Sequence, residues 1–113
     1  MSNDLSQISC EACRLDAPVL SEQEIKELAP QIPSWIVHEE DGTKRLICSF
    51  AFSSYEDSVN FTNKVAELAE QEDHHPEIVL EWGNVTVSWW SHKIKVLHKN
   101  DFICASKTDD LFK

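Results

Sequence analysis

The sequence predicts an α+β domain, a four-stranded antiparallel sheet with three helices packed on one face, in the order α-β-β-α-β-β-α. Three observations carry this expectation. Two tight-turn signals, Asp41-Gly42 and Gly83-Asn84, each lie between short segments rich in β-branched and aromatic residues. A long amphipathic stretch, Ser54 to Glu72, separates the two hairpins. Four strands with apolar faces, and three amphipathic helices to cover them, then favour one sheet with its helices on a single side. A chain of 113 residues, 42% hydrophobic and 27% charged, is one ordinary domain that buries about two-thirds of its unfolded surface.

The first 17 residues lack apolar periodicity and read as a tail or extended arm, leaving residues 18–113 as a single domain. Ser21-Glu22-Gln23-Glu24 is a capping box, and Ile25 and Leu28 give helical spacing before Pro30, so the first helix covers about Glu22 to Ala29. Trp35 to Glu39 and Lys44 to Phe50 form the first hairpin around Asp41-Gly42, residues that tolerate the positive φ of a tight turn. In the second helix Val59, Phe61, Thr62, Val65, Ala66, Leu68 and Ala69 share one half of the circumference. A two-residue loop at Gly83-Asn84 fixes the second hairpin, pairing Trp82 with Val85, Leu80 with Val87 and Ile78 with Trp89. The polar face of that hairpin takes Glu77, Glu81, Thr86, Ser88 and Trp90. A closing helix runs from about Asn100 to Leu111.

The charge balance excludes some function classes. Ten Lys plus Arg against twenty Asp plus Glu give a net charge of −10, which repels nucleic acid and anionic membranes. The N-terminus has no signal-peptide pattern and the apolar runs are short, so a cytoplasmic protein is expected. In that reducing compartment Cys48 and Cys104 read as small buried hydrophobes. Cys10-x-x-Cys13 has the spacing of half a zinc site, but no matching second pair exists.

Three histidines bracket the second hairpin, His74 and His75 before it and His92 after it. Continuing the predicted register places His75 opposite His92, and the bend imposed by Pro76 lets both adjacent imidazoles reach one pocket. No Lys or Arg occurs between Lys64 and Lys93, while six carboxylates do. This acidic setting favours imidazolium and suits acid–base work near neutral pH. The competing reading is a metal site of His74, His75 and His92 with Glu70 or Glu77, although no metal-ligand spacing such as His-Glu-x-x-His is present. Trp35, Trp82 and Trp89 read as packing residues, whereas Trp90 falls on the histidine face, where it can stack on a flat heterocycle.

The run Glu70-x-x-x-His74-His75-Pro76, followed by Trp82-Gly83-Asn84-Val85-Thr86-Val87, His92 and Asn100-Asp101-Phe102, resembles the signature of the pterin-4a-carbinolamine dehydratases over about residues 20–112. Cys10-Glu11-Ala12-Cys13-Arg14 resembles bacterial members. The resemblance implies a lyase that dehydrates 4a-hydroxytetrahydropterin to quinonoid dihydropterin, recycling the tetrahydrobiopterin-type cofactor of aromatic amino acid hydroxylases, with no cofactor or metal of its own. It implies His74, His75 and His92 as the acid–base groups, Asp73, Trp90, Ser91 and Lys93 against the pterin, and Glu70 and Asp101 behind the imidazoles, orienting them. It further implies a homodimer or homotetramer and a functional link to a hydroxylase. The alternative is a non-catalytic partner or regulator of such a hydroxylase. Val96 stands where many members have Gly, so the loop near Asp101 is expected to differ.

Overall fold

The computed structural model describes residues 20–91 and 97–112. The expected arm, with Cys10 and Cys13, and also His92, Lys93 and Val96, lie outside the described residues. The helices are α1 (Glu22–Leu28), α2 (Tyr55–Glu72) and α3 (Lys99–Phe112), and the strands are β1 (Ile36–Glu40), β2 (Thr43–Ala51), β3 (Glu77–Glu81) and β4 (Asn84–Trp89). This is the predicted α-β-β-α-β-β-α order. One antiparallel sheet forms with strand order β1-β2-β4-β3.

Local chemistry explains each start and stop. Ser21 accepts the Glu24 N–H at 3.1 Å, and the Glu24 carboxylate accepts the Ser21 N–H at 2.9 Å, completing the capping box of α1. Pro30 fits the single 3-10 turn, Ala29–Gln31, that follows. Asp41 and Gly42, at φ 53° and 78°, make the first hairpin turn as predicted. Ser54 caps α2 through the Asp57 N–H.

The second hairpin differs from the expectation. The observed pairs are Ile78 with Val87, Leu80 with Val85 and Glu81 with Asn84, so the loop is Trp82-Gly83 and the register is displaced by two residues. Two bonds from outside the hairpin hold this loop: the Ser58 hydroxyl donates to the Trp82 carbonyl at 3.0 Å, and the Phe52 N–H donates to the Gly83 carbonyl at 2.9 Å. A Cβ on Gly83 would stand 3.0 Å from the Phe52 carbonyl oxygen, so the close approach favours glycine and any side chain there must push that strand end aside. Trp82 is 67% exposed at this turn and not a packing residue. A two-residue shift preserves the period-2 alternation, so the apolar face survives with the loss of Trp82 alone.

That face comprises Leu46, Cys48 and Phe50 on β2 and Val85, Val87 and Trp89 on β4, all buried, with Ile78 and Leu80 at its edge. Against it pack Phe61, Val65, Leu68 and Ala69 of α2 and Phe102, Ile103, Cys104 and Ala105 of α3. Ala66, placed on the apolar face by periodicity, is exposed. Phe50 and Phe61 rings lie 4.8 Å apart, and Trp35 meets Phe50 edge-on at 5.9 Å while its indole N–H donates to Asp109. Such pairs add about 0.5–1.5 kcal/mol each beyond the area they bury.

Candidate active site

The site begins where α2 ends. Asp73 takes the left-handed conformation, φ 51° and ψ 43°, which aspartate tolerates better than most residues. Its N–H points back to the Ala69 and Glu70 carbonyls, and the His74 N–H also returns to Ala69 at 3.2 Å. Pro76 cannot continue a helix, and β3 starts immediately after it. The turn sends two adjacent histidines apart: His74 is 3% exposed, whereas the His75 side chain is 55% exposed.

His74 turns under the end of the sheet. Its Nε2 lies 2.7 Å from Asp101 Oδ1, and its ring stacks on Trp89, centroids 5.5 Å apart and planes within 17°. Trp89 is itself fixed by donating to the Thr108 hydroxyl at 3.0 Å. Asp101 is completely buried in the first turn of α3. Its second oxygen accepts two bonds of 2.9 Å, from the Ser91 hydroxyl and from the His98 N–H. A carboxylate only accepts hydrogen bonds, so in this arrangement His74 Nε2 carries a proton. His98, just before the helix, accepts the Asn100 N–H on Nδ1 at 3.0 Å. The Asp101 carboxylate thus makes the N3 half of a capping box on the His98 N–H, while the His98 imidazole caps Asn100, one residue earlier than the box requires.

His75 forms a second, outward pair, with Nε2 at 2.7 Å from Glu70 Oε1; the Glu70 side chain is 80% exposed. Among the described residues, no group of three or more His, Cys, Asp or Glu side chains is placed to hold a metal ion.

The predicted site residues therefore separate. His74, Asp101 and Ser91 form one buried network, with Ser91, 1% exposed, turned towards Asp101. His75 and Glu70 form the exposed pair, and Asp73 is the exposed corner between the two. Trp90 lies on the opposite sheet face with the Arg45 guanidinium 4.1 Å above its ring. The β3–β4 ladder begins at Glu77 with Ser88, displaced by two residues from the register on which the expected apposition of His75 with His92 rests, and His92 lies outside the described residues. Sequence reasoning missed three participants: Trp89 as the stacking partner of His74, His98 as a clamp on Asp101, and Arg45. The spacing His98-x-x-Asp101 is the capping-box spacing and could have revealed the second. Trp89 depends on how the β3–β4 hairpin meets the end of α2, and Arg45 on pairing between β2 and β4; no local pattern encodes either.

The structure defines a small α+β domain in which an imidazole is oriented by a buried carboxylate, an arrangement chemically capable of general acid–base proton transfer. Residues 18–111 match the family model described as pterin 4 alpha carbinolamine dehydratase, and the chain belongs to that family. A Nitrosococcus oceani chain assigned to the pterin-4-alpha-carbinolamine dehydratases is 57% identical over 97% of both chains, and a Photobacterium profundum chain with the same assignment is 55% identical over 96% of both. The solved transcriptional coactivator/pterin dehydratase from Brucella melitensis has a TM-score of 0.75 at 26% identity, covering 85% of this chain and all of that one. A pterin dehydratase-like protein identified as a RuBisCO assembly factor in the alpha-carboxysome has a TM-score of 0.60 at 25% identity, covering 69% of this chain and 88% of that one.

Proposed function

We propose that this protein dehydrates 4a-hydroxytetrahydropterins to quinonoid dihydropterins, with histidines as the acid and the base. The reaction breaks the C4a–O bond: an acid protonates the departing hydroxyl, and a base removes the N5 proton, so water leaves and the substrate gains a double bond without any change in overall charge. His74, His75 and His92 are the groups assigned to these transfers. The observation that supports the reading best is the buried His74–Asp101 pair, 2.7 Å apart, with the second Asp101 oxygen already saturated. Asp101 then holds the Nε2 proton in place and leaves Nδ1 as the nitrogen that exchanges protons with substrate. Asp73, Trp90, Ser91 and Lys93 are assigned to the pterin pocket, with Ser91 acting through Asp101. Glu70 orients His75 in the same way, at a solvent-exposed position where its influence is smaller.

The setting that accompanies this reading is recycling of a tetrahydropterin cofactor in the cytoplasm, alongside an aromatic amino acid hydroxylase, by a homodimer or homotetramer. Edge strand β1, exposed along its whole length and carrying Ile36 and Val37, is the feature consistent with assembly.

The test is the decay of enzymatically generated 4a-hydroxytetrahydropterin, followed by ultraviolet absorbance, with catalytic amounts of wild-type protein and of His74→Ala and His92→Ala. Acceleration by the wild type that falls in both variants is the expected result. Folded wild-type protein that gives no acceleration would overturn the enzymatic reading and favour a binding role, as in the assembly-factor relative.

A further inference from the structure

Arg45 is the one arginine among the described residues, and it projects from the sheet face opposite the helices. Its guanidinium stacks over Trp90 at 4.1 Å, and one terminal nitrogen stands 3.6 Å from Glu77 Oε1. The Arg45 side chain is only 14% exposed. A guanidinium covered to that degree ordinarily places its five donors on acceptors. Here the Glu77 contact exceeds the roughly 2.7–2.9 Å of a charge-assisted hydrogen bond, the Glu77 side chain is 54% exposed, and Arg45 Nε is buried with no partner. The fork is thus held flat by an indole, loosely balanced by an exposed carboxylate, and left with its Nε–H short of an acceptor.

Its location ties it to the histidines. Glu77, the carboxylate facing Arg45, pairs with Ser88 at the start of β3, two residues after His75. Trp90 is followed directly by Ser91, which bonds Asp101. The segment that carries Glu77 and the two histidines is acidic in sequence, with Glu70 and Asp73 before it and no Lys or Arg between Lys64 and Lys93. Pairing of β2 with β4 brings a cation from a distant stretch of chain to Glu77 of this segment. Planar, bidentate donation to carboxylate or phosphate is what distinguishes arginine from lysine at such a position.

The geometry points to Arg45 as the specificity residue of the site, recognising an oxyanion, carboxylate or phosphate, borne as a substituent on the flat heterocycle that the histidines handle. Resting on the dehydratase reading, this makes the substrate class pterins with an acidic side chain in preference to neutral ones. The oxyanion displaces Glu77 and takes the fork, while Trp90 keeps the guanidinium in plane.

Isothermal titration calorimetry on the full chain at low salt tests this with three stable probes: 6-carboxypterin, 6-hydroxymethylpterin phosphate and neutral 6-hydroxymethylpterin. The wild type is expected to bind at least one acidic probe tenfold or more tighter than the neutral one, and comparison of the two acids distinguishes carboxylate from phosphate. Arg45→Met is expected to reduce that preference to within twofold while neutral-probe affinity is retained, and Arg45→Lys to keep only part of it. Should Arg45→Met fail to fold, Arg45→Lys and Arg45→Gln supply the same comparison. Equal binding of all three probes by the wild type, or an undiminished preference in the folded variants, would overturn the role of Arg45 alone. Folded wild-type protein that binds none of them would overturn the dehydratase reading and this inference together.

Discussion

His74 and Asp101, 27 residues apart in the chain, meet at 2.7 Å with 3% and 0% of their side chains exposed. Neither group reaches this place alone: a left-handed residue at the end of α2 delivers the imidazole, and the first turn of α3 delivers the carboxylate. The contact therefore joins the two longest helices at the end of the sheet.

Asp101→Asn separates the charge of this pair from its shape. The side-chain carbonyl of the variant can still accept from Ser91 and His98, which turns its amide N–H towards His74 Nε2 and forces that proton to Nδ1. The turnover rate should fall about 10²–10⁴-fold with KM little changed, and stability by about 1–2 kcal/mol. Steady-state kinetics with 4a-hydroxytetrahydropterin and nitrogen NMR of the His74 ring check the two halves of this expectation. A ring that keeps its proton on Nε2 would contradict the argument.

Position 73 should respond to backbone preference before it responds to chemistry. At φ 51°, Asp73→Gly relieves a left-handed residue of its Cβ and is expected to leave the protein equally stable or about 0.5–1 kcal/mol more stable. Asp73→Val, β-branched, is expected to lose about 1–2 kcal/mol and to disturb the divergence of His74 and His75. Denaturant midpoints for the two variants give the order directly.

Trp89→Phe keeps most of the buried volume but removes the donor to Thr108 and shortens the surface on which His74 stacks. Loss of about 1–3 kcal/mol is expected, because the substitution trims a fully buried indole and leaves the Thr108 hydroxyl one partner short. Thermal unfolding measures the loss. A change in the ring-current shift of the His74 protons reports the stacking separately.

Cys48 predicts an alkaline limit to stability. Burial, then the nearby Asp109 carboxylate, push its thiol up from 9.0 to about 11. Above pH 9 the unfolded chain ionises this thiol while the folded chain still resists, so stability that is complete below pH 9 is lost as the pH rises towards 11. Urea unfolding at stepped pH should show this decline, and Cys48→Ala should flatten it. A wild-type profile no steeper than that of the variant would show that the thiol does not ionise on unfolding in this range.

The parts of this molecule legible in its sequence are those set by local chemistry. The Ser21–Glu24 box and the Asp41-Gly42 turn each depend on neighbours within four residues and form where the residues predict them, and the second helix begins, as predicted, next to Ser54, which caps it. The second hairpin turn escapes such reading because bonds from Ser58 and Phe52, remote in sequence, select Trp82-Gly83 over Gly83-Asn84. The apolar face is nevertheless legible, since alternation survives a shift of two. His74 and Asp101 are legible only through the spacing of a known signature, because nothing local to either residue indicates the other. Arg45 is invisible for the same reason: its place beside Trp90 is set by the β2–β4 ladder, whose strands are separated by all of α2.

The clamp of His98 and Ser91 on Asp101 gives the first turn of α3 a second duty. When that turn frays, the His98 and Asn100 amides lose their acceptors and His74 loses its anchor in the same event. Amide hydrogen exchange at the start of α3 thus becomes a clock for the readiness of the site: its protection measures the fraction of molecules in which the imidazole is held. Solvents or temperatures that open this one turn should silence the protein long before the sheet gives way.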